Sequence, residues 1–255
     1  MLAEQTPTHE LLFGGLFLIA FLALSLYIAD QAKKGKVPYI RRLPAFDGIE
    51  LTIDRCAELG KPVYYDISGL PRGDIGPMVV AALSILSYVA RRCFKSKCRL
   101  IVAYQSPETS VMAREVLNSA IQEEGDPNSF QDRDLRFTDT NTFLHAAKGM
   151  EMVETEDCRG NIAMGQVFLN VLPLSEANKA NGCVAIQGSA YMTQIHALGL
   201  ATDYNFIGEE LYAAAAMISR DADTLATLRS QDFAKLFIVA LIPCMAIALA
   251  LGVSL

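Results

Sequence analysis

The side chains best placed to do chemistry in this chain are short polar clusters that follow apolar runs: Ser68-Gly69, Gln105-Ser106, Gly165-Gln166, Gln187-Gly188-Ser189 and Gly208-Glu209-Glu210. Hydroxyls, amides and flexible glycines grip a small polar ligand or nucleotide when they converge on one rim. The same residue types also serve as ordinary turn and cap residues. Ser68, Gly69, Ser106, Gln166, Gln187, Gly188, Ser189, Glu209 and Glu210 are the ligand-binding candidates on this basis. Glu209 and Glu210 open a helix, where carboxylates stabilise the dipole and repel a phosphate. Their sharper reading is a carboxylate pair for a cation or for acid/base work, which Asp66 and Asp203 could join only if the fold brings those strand ends together.

No residue pattern assigns a catalytic, cofactor or metal site. The chain contains no GxGxxG, GxxxxGK[ST], GxSxG or HExxH. His9, His145 and His196 are the only histidines, and His145 and His196 read as packed or surface residues rather than bases. The six cysteines, at 56, 93, 98, 158, 183 and 244, lack zinc or redox spacing and read as reduced, mostly buried thiols. With 22 Lys plus Arg against 28 Asp plus Glu the net charge is -6, which argues against nucleic acid as a partner, because phosphate binding needs clustered cations.

The elements that must position these residues alternate. Apolar residues at helical spacing predict a helix over 45–59, followed by a strand at 63–67. A very apolar helix at 75–93, a strand at 100–104 and a helix from Pro107 to Gly125, capped by Ser106, come next. Beyond a polar loop at 126–134, Phe137 fits a short strand and 141–153 a helix. Strands at 161–164, 183–187 and 204–207 then alternate with helices at 166–180, 189–198 and 209–219, with a last helical turn or two at 221–229. This order predicts an α/β, Rossmann-like three-layer domain with a mainly parallel sheet. The uncharged stretch 77–90 is too short for an ordinary membrane span and reads as a core helix, with burial against a neighbouring subunit the alternative.

Both ends of the chain are strongly apolar. Leu11 to Ile28 carries no charge, has Glu4 and Glu10 before it and Lys33, Lys34, Lys36, Arg41 and Arg42 after it, and so reads as an uncleaved anchor rather than a signal peptide. Leu236 to Leu255 is a second uncharged stretch, with Pro243 as a kink. The cations put the intervening chain on the cytoplasmic side of the inner membrane and both termini outside. The expected organisation is a short outer N-terminus at 1–10, transmembrane helices at 11–29 and 236–255, a basic linker at 30–43 and a cytoplasmic α/β domain at 44–232. Gly14 and Gly15, and Ala214 and Ala215 in the Ala-rich helix, are small-residue positions where helices can approach closely, hence candidate oligomer contacts.

Four segments carry a family likeness: Ile40-Arg-Arg-Leu-Pro-Ala-Phe-Asp-Gly-Ile-Glu50, Ala57-Glu-Leu-Gly-Lys-Pro-Val63, Gly208-Glu-Glu-Leu-Tyr-Ala-Ala214 and Leu228-Arg-Ser-Gln-Asp232. They resemble an uncharacterised family of prokaryotic membrane proteins, domain of unknown function 6754. The likeness covers most of the chain and implies the anchored α/β fold, and it carries no functional residues. The expected role is a membrane-anchored, self-associating scaffold or accessory subunit whose partners are the lipid bilayer, copies of itself and other membrane-complex subunits. The alternatives are a small-molecule or nucleotide-binding domain or enzyme using the strand-end rim, and a subunit of a transport complex.

Overall fold

The computed structural model describes residues 15, 18–19, 21–24, 26–28, 30–31, 43–124, 126, 128–167, 171–219, 231–232, 235–237 and 239. The chain divides into two compact units, 41–219 and a terminal unit formed by 1–40 with 220–255. In the terminal unit the described positions are helical, between 15 and 31 and between 231 and 239. The expectations for 1–10, for the basic linker, for the turn at 221–229, for most of the 236–255 stretch, and for Gly14, His9 and Cys244 lie outside the described residues.

Six strands build the central unit: β1 (Val63–Ser68), β2 (Leu100–Tyr104), β3 (Leu135–Phe137), β4 (Gly160–Gly165), β5 (Val184–Ser189) and β6 (Tyr204–Ile207). All five pairings are parallel and the order is β3-β2-β1-β4-β5-β6. The chain therefore starts in the middle of the sheet, works outward to β3, and returns to β4 to work outward the other way. Parallel neighbours need a crossover, and helices supply each one. The helices are α1 (Pro44–Leu59), which precedes the sheet, the five crossovers α2 (Gly76–Lys95), α3 (Pro107–Glu124), α4 (Thr142–Thr155), α5 (Val171–Ala180) and α6 (Ile195–Ala201), and α7 (Glu209–Ser219), which follows the last strand.

Side chains alternate across each strand, so every strand has one row per face. Val63, Tyr65 and Ile67 of β1, Leu100 and Val102 of β2, Ile162 and Met164 of β4, Ile186 and Phe206 point into one continuous core closed by α1, α2, α3 and α7. The other face is covered by α4, α5 and α6, and its apolar residues fall into two smaller groups, one around Tyr64, Ile101 and Val153, the other around Ala163, Val171 and Leu198. Between these two groups the strands carry polar residues.

One described helical stretch, 73–95, is long and apolar enough to cross a membrane. It is half buried within the domain, and Met78, Val79, Ala82, Ile85, Leu86 and Val89 of α2 lie in the continuous core. It is the core helix expected, and α7 packs on it. Two helix starts differ from expectation. Gln166 and Val167 are not helical, and the described helix begins at Val171. Ser189 extends β5 instead of opening a helix, and α6 starts at Ile195 after a single tight turn at Met192–Gln194. At Ser189 the strand keeps a residue that local propensity would give to the helix, because parallel pairing with Ile207 of β6 extends β5 past its apolar run. Gln166 and Val167 lie beyond the end of β4 at Gly165 and belong to neither element.

Candidate functional site at the switch point

In an open α/β sheet the crevice outside the carboxyl ends of the strands is widest where the strand order reverses. Here that point lies between β1 and β4, and the loops after these strands are tied across it: Gln166 N donates to the Ser68 carbonyl at 2.8 Å. Gly165 makes the approach possible. Its φ is +114°, and a Cβ there would sit 2.2 Å from the Ser68 carbonyl oxygen, so no side chain fits. Gly69 N donates to Gln105 Oε1 at 2.8 Å, which ties the β2 end to the same place, and the Gln105 amide nitrogen donates to the Thr140 carbonyl at 3.2 Å.

Beneath these loops lies a buried polar cluster. Asp66, on the interior side of β1, is fully buried, as are His145 of α4, Ser68 and Thr138 to within 1%. Ser68 Oγ donates to Asp66 Oδ2 at 2.6 Å, and His145 Nε2 meets the same oxygen at 3.1 Å. On the other side of the ring, His145 Nδ1 is 2.5 Å from Thr138 Oγ1, which is 2.8 Å from the Tyr104 carbonyl. The Thr138 hydroxyl has one proton for two acceptors. When it donates to Tyr104, Nδ1 must donate to Thr138; when it rotates toward Nδ1, the ring needs no proton there. Rotating one hydroxyl therefore lets His145 gain or lose the Nδ1 proton and keep its bond to Thr138, at the expense of the bond from Thr138 to the Tyr104 carbonyl.

Burial alone would push the His145 pKa down, but attraction and hydrogen bonding from Asp66, with a smaller contribution from Asp139, outweigh it and hold it above its usual 6.5. The cluster is not a Ser-His-Asp relay. In that relay the carboxylate and the serine sit on opposite ring nitrogens, whereas here both sit on Nε2, at 3.1 and 3.4 Å. The neighbouring N–H groups of Gly69 and Gln166 already have acceptors, so no oxyanion pocket is made from them. The arrangement can hold a proton and present a buried carboxylate, and it does not activate Ser68 as a nucleophile.

Register extends the cluster sideways. Asp66 pairs with Ala163, Ala163 with Gln187, and Gln187 with Asn205. Alternation puts all four on the α4–α5–α6 face, since their neighbours Ile67, Ile162, Ile186 and Phe206 belong to the opposite core. Gln187 is fully buried, yet neither its amide oxygen nor its amide nitrogen has a hydrogen-bond partner among the described residues. Two strand spacings, about 10 Å, separate it from Asp66, and the methyl of Ala163 is all that stands between them in the row.

The candidates from the sequence thus divide. Ser68, Gly69 and Gln166 converge at the switch point, and Gln187 faces the same layer two strands away. Ser106 caps α3, accepting from Thr109 N at 3.4 Å. Ser189 is closed on Gln194 Oε1 at 2.8 Å. Gly188 faces the apolar core, where a Cβ would meet Met164 Sδ at 2.7 Å, so it is a packing residue. Glu209 and Glu210 lie beyond β6, three strand spacings or about 14 Å from the β1 row. Asp203 precedes β6 at the opposite edge of the sheet, where it accepts from Ala185 N at 2.8 Å. The four carboxylates therefore form no cluster.

Ala214 and Ala215 are buried in the chain's own core, which leaves them no surface for a second copy; Gly15 has room for a Cβ. His196 is exposed. Cys56, Cys93, Cys98, Cys158 and Cys183 are free and buried, and burial pushes Cys56 and Cys158 up to about 12. No three His, Cys, Asp or Glu side chains among the described residues are grouped to hold a metal ion.

A family model described as domain of unknown function (DUF6754) matches residues 5–254. The chain belongs to the DUF6754 family. No curated protein and no solved structure matches it. Within this DUF6754 chain, Thr138 and Gln194 carry no motif in the sequence, where His145 reads as a packed or surface residue. The one visible signal was Asp66, a carboxylate inside the otherwise uncharged run Val63-Tyr-Tyr-Asp-Ile67.

Proposed function

We propose that this chain is a membrane-anchored small-molecule-binding protein whose site lies between the sheet and α4–α5, at the β1/β4 switch point. The observation that carries this reading is Gln187. A buried primary amide left without partners costs about 1–3 kcal/mol, and natural interiors rarely keep one unless something else supplies the partners. A ligand lying over Ala163, in place of part of the Val171 and Leu198 packing there, would give Gln187 a donor and an acceptor at one end and meet Asp66, with its attendant His145 and Ser68, at the other. The buried carboxylate suits a neutral or cationic polar ligand and disfavours a phosphate.

The test is native mass spectrometry of the full chain, gently extracted from its own membrane, beside Gln187→Leu. The expected result is a retained small mass in the wild type that disappears in Gln187→Leu while the variant stays folded. A wild type that carries no such mass, or a mass retained equally by the variant, would remove the basis of the proposal.

A specific observation supports anchoring. Leu18, Ile19, Leu22, Leu26 and Tyr27, and Leu236 and Val239, are each more than three-fifths exposed on helical backbone. Contiguous exposed apolar surface of this kind is covered by lipid or by another helix. A scaffold role through helix association rests on the same segments, with Gly15 as the point of close approach. Alkaline phosphatase fused to the C-terminus should be active if that end is outside, and cross-linking in the membrane should fall on Gly15→Ile if these helices pair. An inactive fusion or unchanged cross-linking would refute the topology or the pairing respectively.

A further inference from the structure

The edge of the sheet opposite the switch point holds a second candidate site. Four helices end there in the same way. After α1, α2, α4 and α5 the chain turns through one left-handed residue, and the next N–H reaches back to a carbonyl five positions earlier: Lys61 to Cys56 at 2.9 Å, Cys98 to Cys93 at 2.8 Å, Cys158 to Val153 at 3.0 Å and Cys183 to Asn178 at 2.8 Å. Glycine is the favoured residue at the left-handed position, because a Cβ is crowded there. Two of the four comply, Gly60 at φ +64° and Gly182 at +59°. The other two are charged, Asp157 at +51° and Lys97 at +53°.

Asp157 has evident partners: its carboxylate pairs with Lys61 and, at 2.8 Å, with Arg159. Lys97 has no carboxylate partner among the described residues. It lines a cavity of about 320 Å³ together with Arg133, which also lacks one, and with Asn128, Ser129, Gln131 and Phe94. The other cation in the wall, Arg99, is fully engaged, by both oxygens of Asp134 at 2.6 and 3.1 Å and by Glu156 at 2.7 Å. The carboxylate of Asp126 is turned to its own loop, accepting from Asn128 N at 2.9 Å. The cavity thus has two cations without a carboxylate partner, two side-chain amides, a hydroxyl and one aromatic wall, with Cys98 and the carboxylates of Asp126 and of the Arg99-paired Asp134 completing its lining.

We propose that this cavity binds a phosphate-bearing group, held between Lys97 and Arg133. A phosphate monoester carries close to two negative charges at neutral pH, which matches two cations of which neither is otherwise neutralised. The amides of Asn128 and Gln131 and the Ser129 hydroxyl take the polar part next to the phosphate. The charged residue at the left-handed turn then has the same explanation as Asp157, an ionic partner, except that for Lys97 the partner is not part of the chain. The group is the phosphate of a soluble metabolite or the headgroup of an anionic lipid, and the chemistry is common to both.

Lys97→Gly makes a clean test, because glycine suits the left-handed turn and the variant should unfold at the same temperature as the wild type or higher. The full chain in zwitterionic nanodiscs would be titrated with inorganic phosphate and with glycerol phosphate at constant ionic strength, beside Lys97→Gly and Arg133→Gln. The expected result is stabilisation of the wild type, with apparent affinity at least about tenfold weaker in each variant. Stabilisation only in nanodiscs containing phosphatidylglycerol, again lost in both variants, would support the site and assign the group to a lipid headgroup. No stabilisation by any of the three probes, or equal stabilisation of all three proteins, would overturn the proposal. A Lys97→Gly protein that unfolds at lower temperature would overturn it as well, since Lys97 would then be held by the fold itself.

Discussion

The two faces of the sheet are built on different principles. On the α1–α2–α3–α7 side, aliphatic and aromatic side chains from five strands and four helices form one uninterrupted core, and the few polar atoms that enter it are anchored, as with Tyr65 Oη donating to the Ala82 carbonyl at 2.6 Å. On the α4–α5–α6 side the apolar residues are split by a polar strip. Asp66, Ser68 and His145 satisfy one another there, the Asn161 amide donates to Asn178 Oδ1 at 2.9 Å, and Tyr64 Oη and Gln187 have no partner among the described residues. The first face supplies stability through area removed from water. The second gives up part of that stability for polar groups, and stability withheld from a packed interior is a mark of function.

Several substitutions break or sharpen this contrast. Asp66→Ala should be the most damaging change on the polar face, by about 3–5 kcal/mol, since it strands His145 and Ser68 in a buried site; a loss under about 1 kcal/mol in denaturant unfolding would mean the cluster is slack. On the apolar face, Leu86→Ala should cost about 2–5 kcal/mol through lost burial and the cavity left behind. Gln187→Leu should go the other way, raising the stability of the ligand-free chain by about 1–3 kcal/mol by removing the unmatched amide. A destabilised Gln187→Leu protein would show that the amide is satisfied in solution.

The smallest effect is the pH dependence of His145, because burial and the Asp66 carboxylate act on it in opposite senses. Its pKa in the folded protein lies above the ordinary value of 6.5. The stabilisation from the charged ring is therefore fully present below that value and is lost as pH rises through the folded pKa. Unfolding free energy measured from pH 5 to pH 9 should show a decline in the wild type that His145→Gln lacks. Parallel curves for the two proteins would assign any decline to other groups.

The strands at 100–104 and 204–207 and the helix at 209–219 coincide with their expected ranges, because each is a short apolar or Ala-rich run closed by unambiguous turn residues. Parallel pairing followed from strict helix–strand alternation, since parallel neighbours need a crossover. Local pattern failed at Ser189, where pairing with β6 decided the boundary, and at Gln166, whose N–H is tied to the Ser68 carbonyl instead of opening a helix. Strand order, too, was beyond it. Nothing near residue 66 says that β4 rather than β3 will lie beside β1, and that choice makes Ser68 and Gly165 neighbours and sends Glu209 to the far edge.

By itself the amino-acid sequence determined the layer architecture, the core helix at α2 and the family, because these follow from hydrophobic period, turn chemistry and motif likeness along the chain. Only the tertiary structure brought the candidate site together. His145 lies 79 positions from Asp66 and Gln187 lies 121, and in one dimension they are a histidine on a half-apolar helix and a glutamine at the end of a strand. Their burial beside a common row on one face of the sheet depends on strand order and register, which the whole set of long-range contacts fixes together.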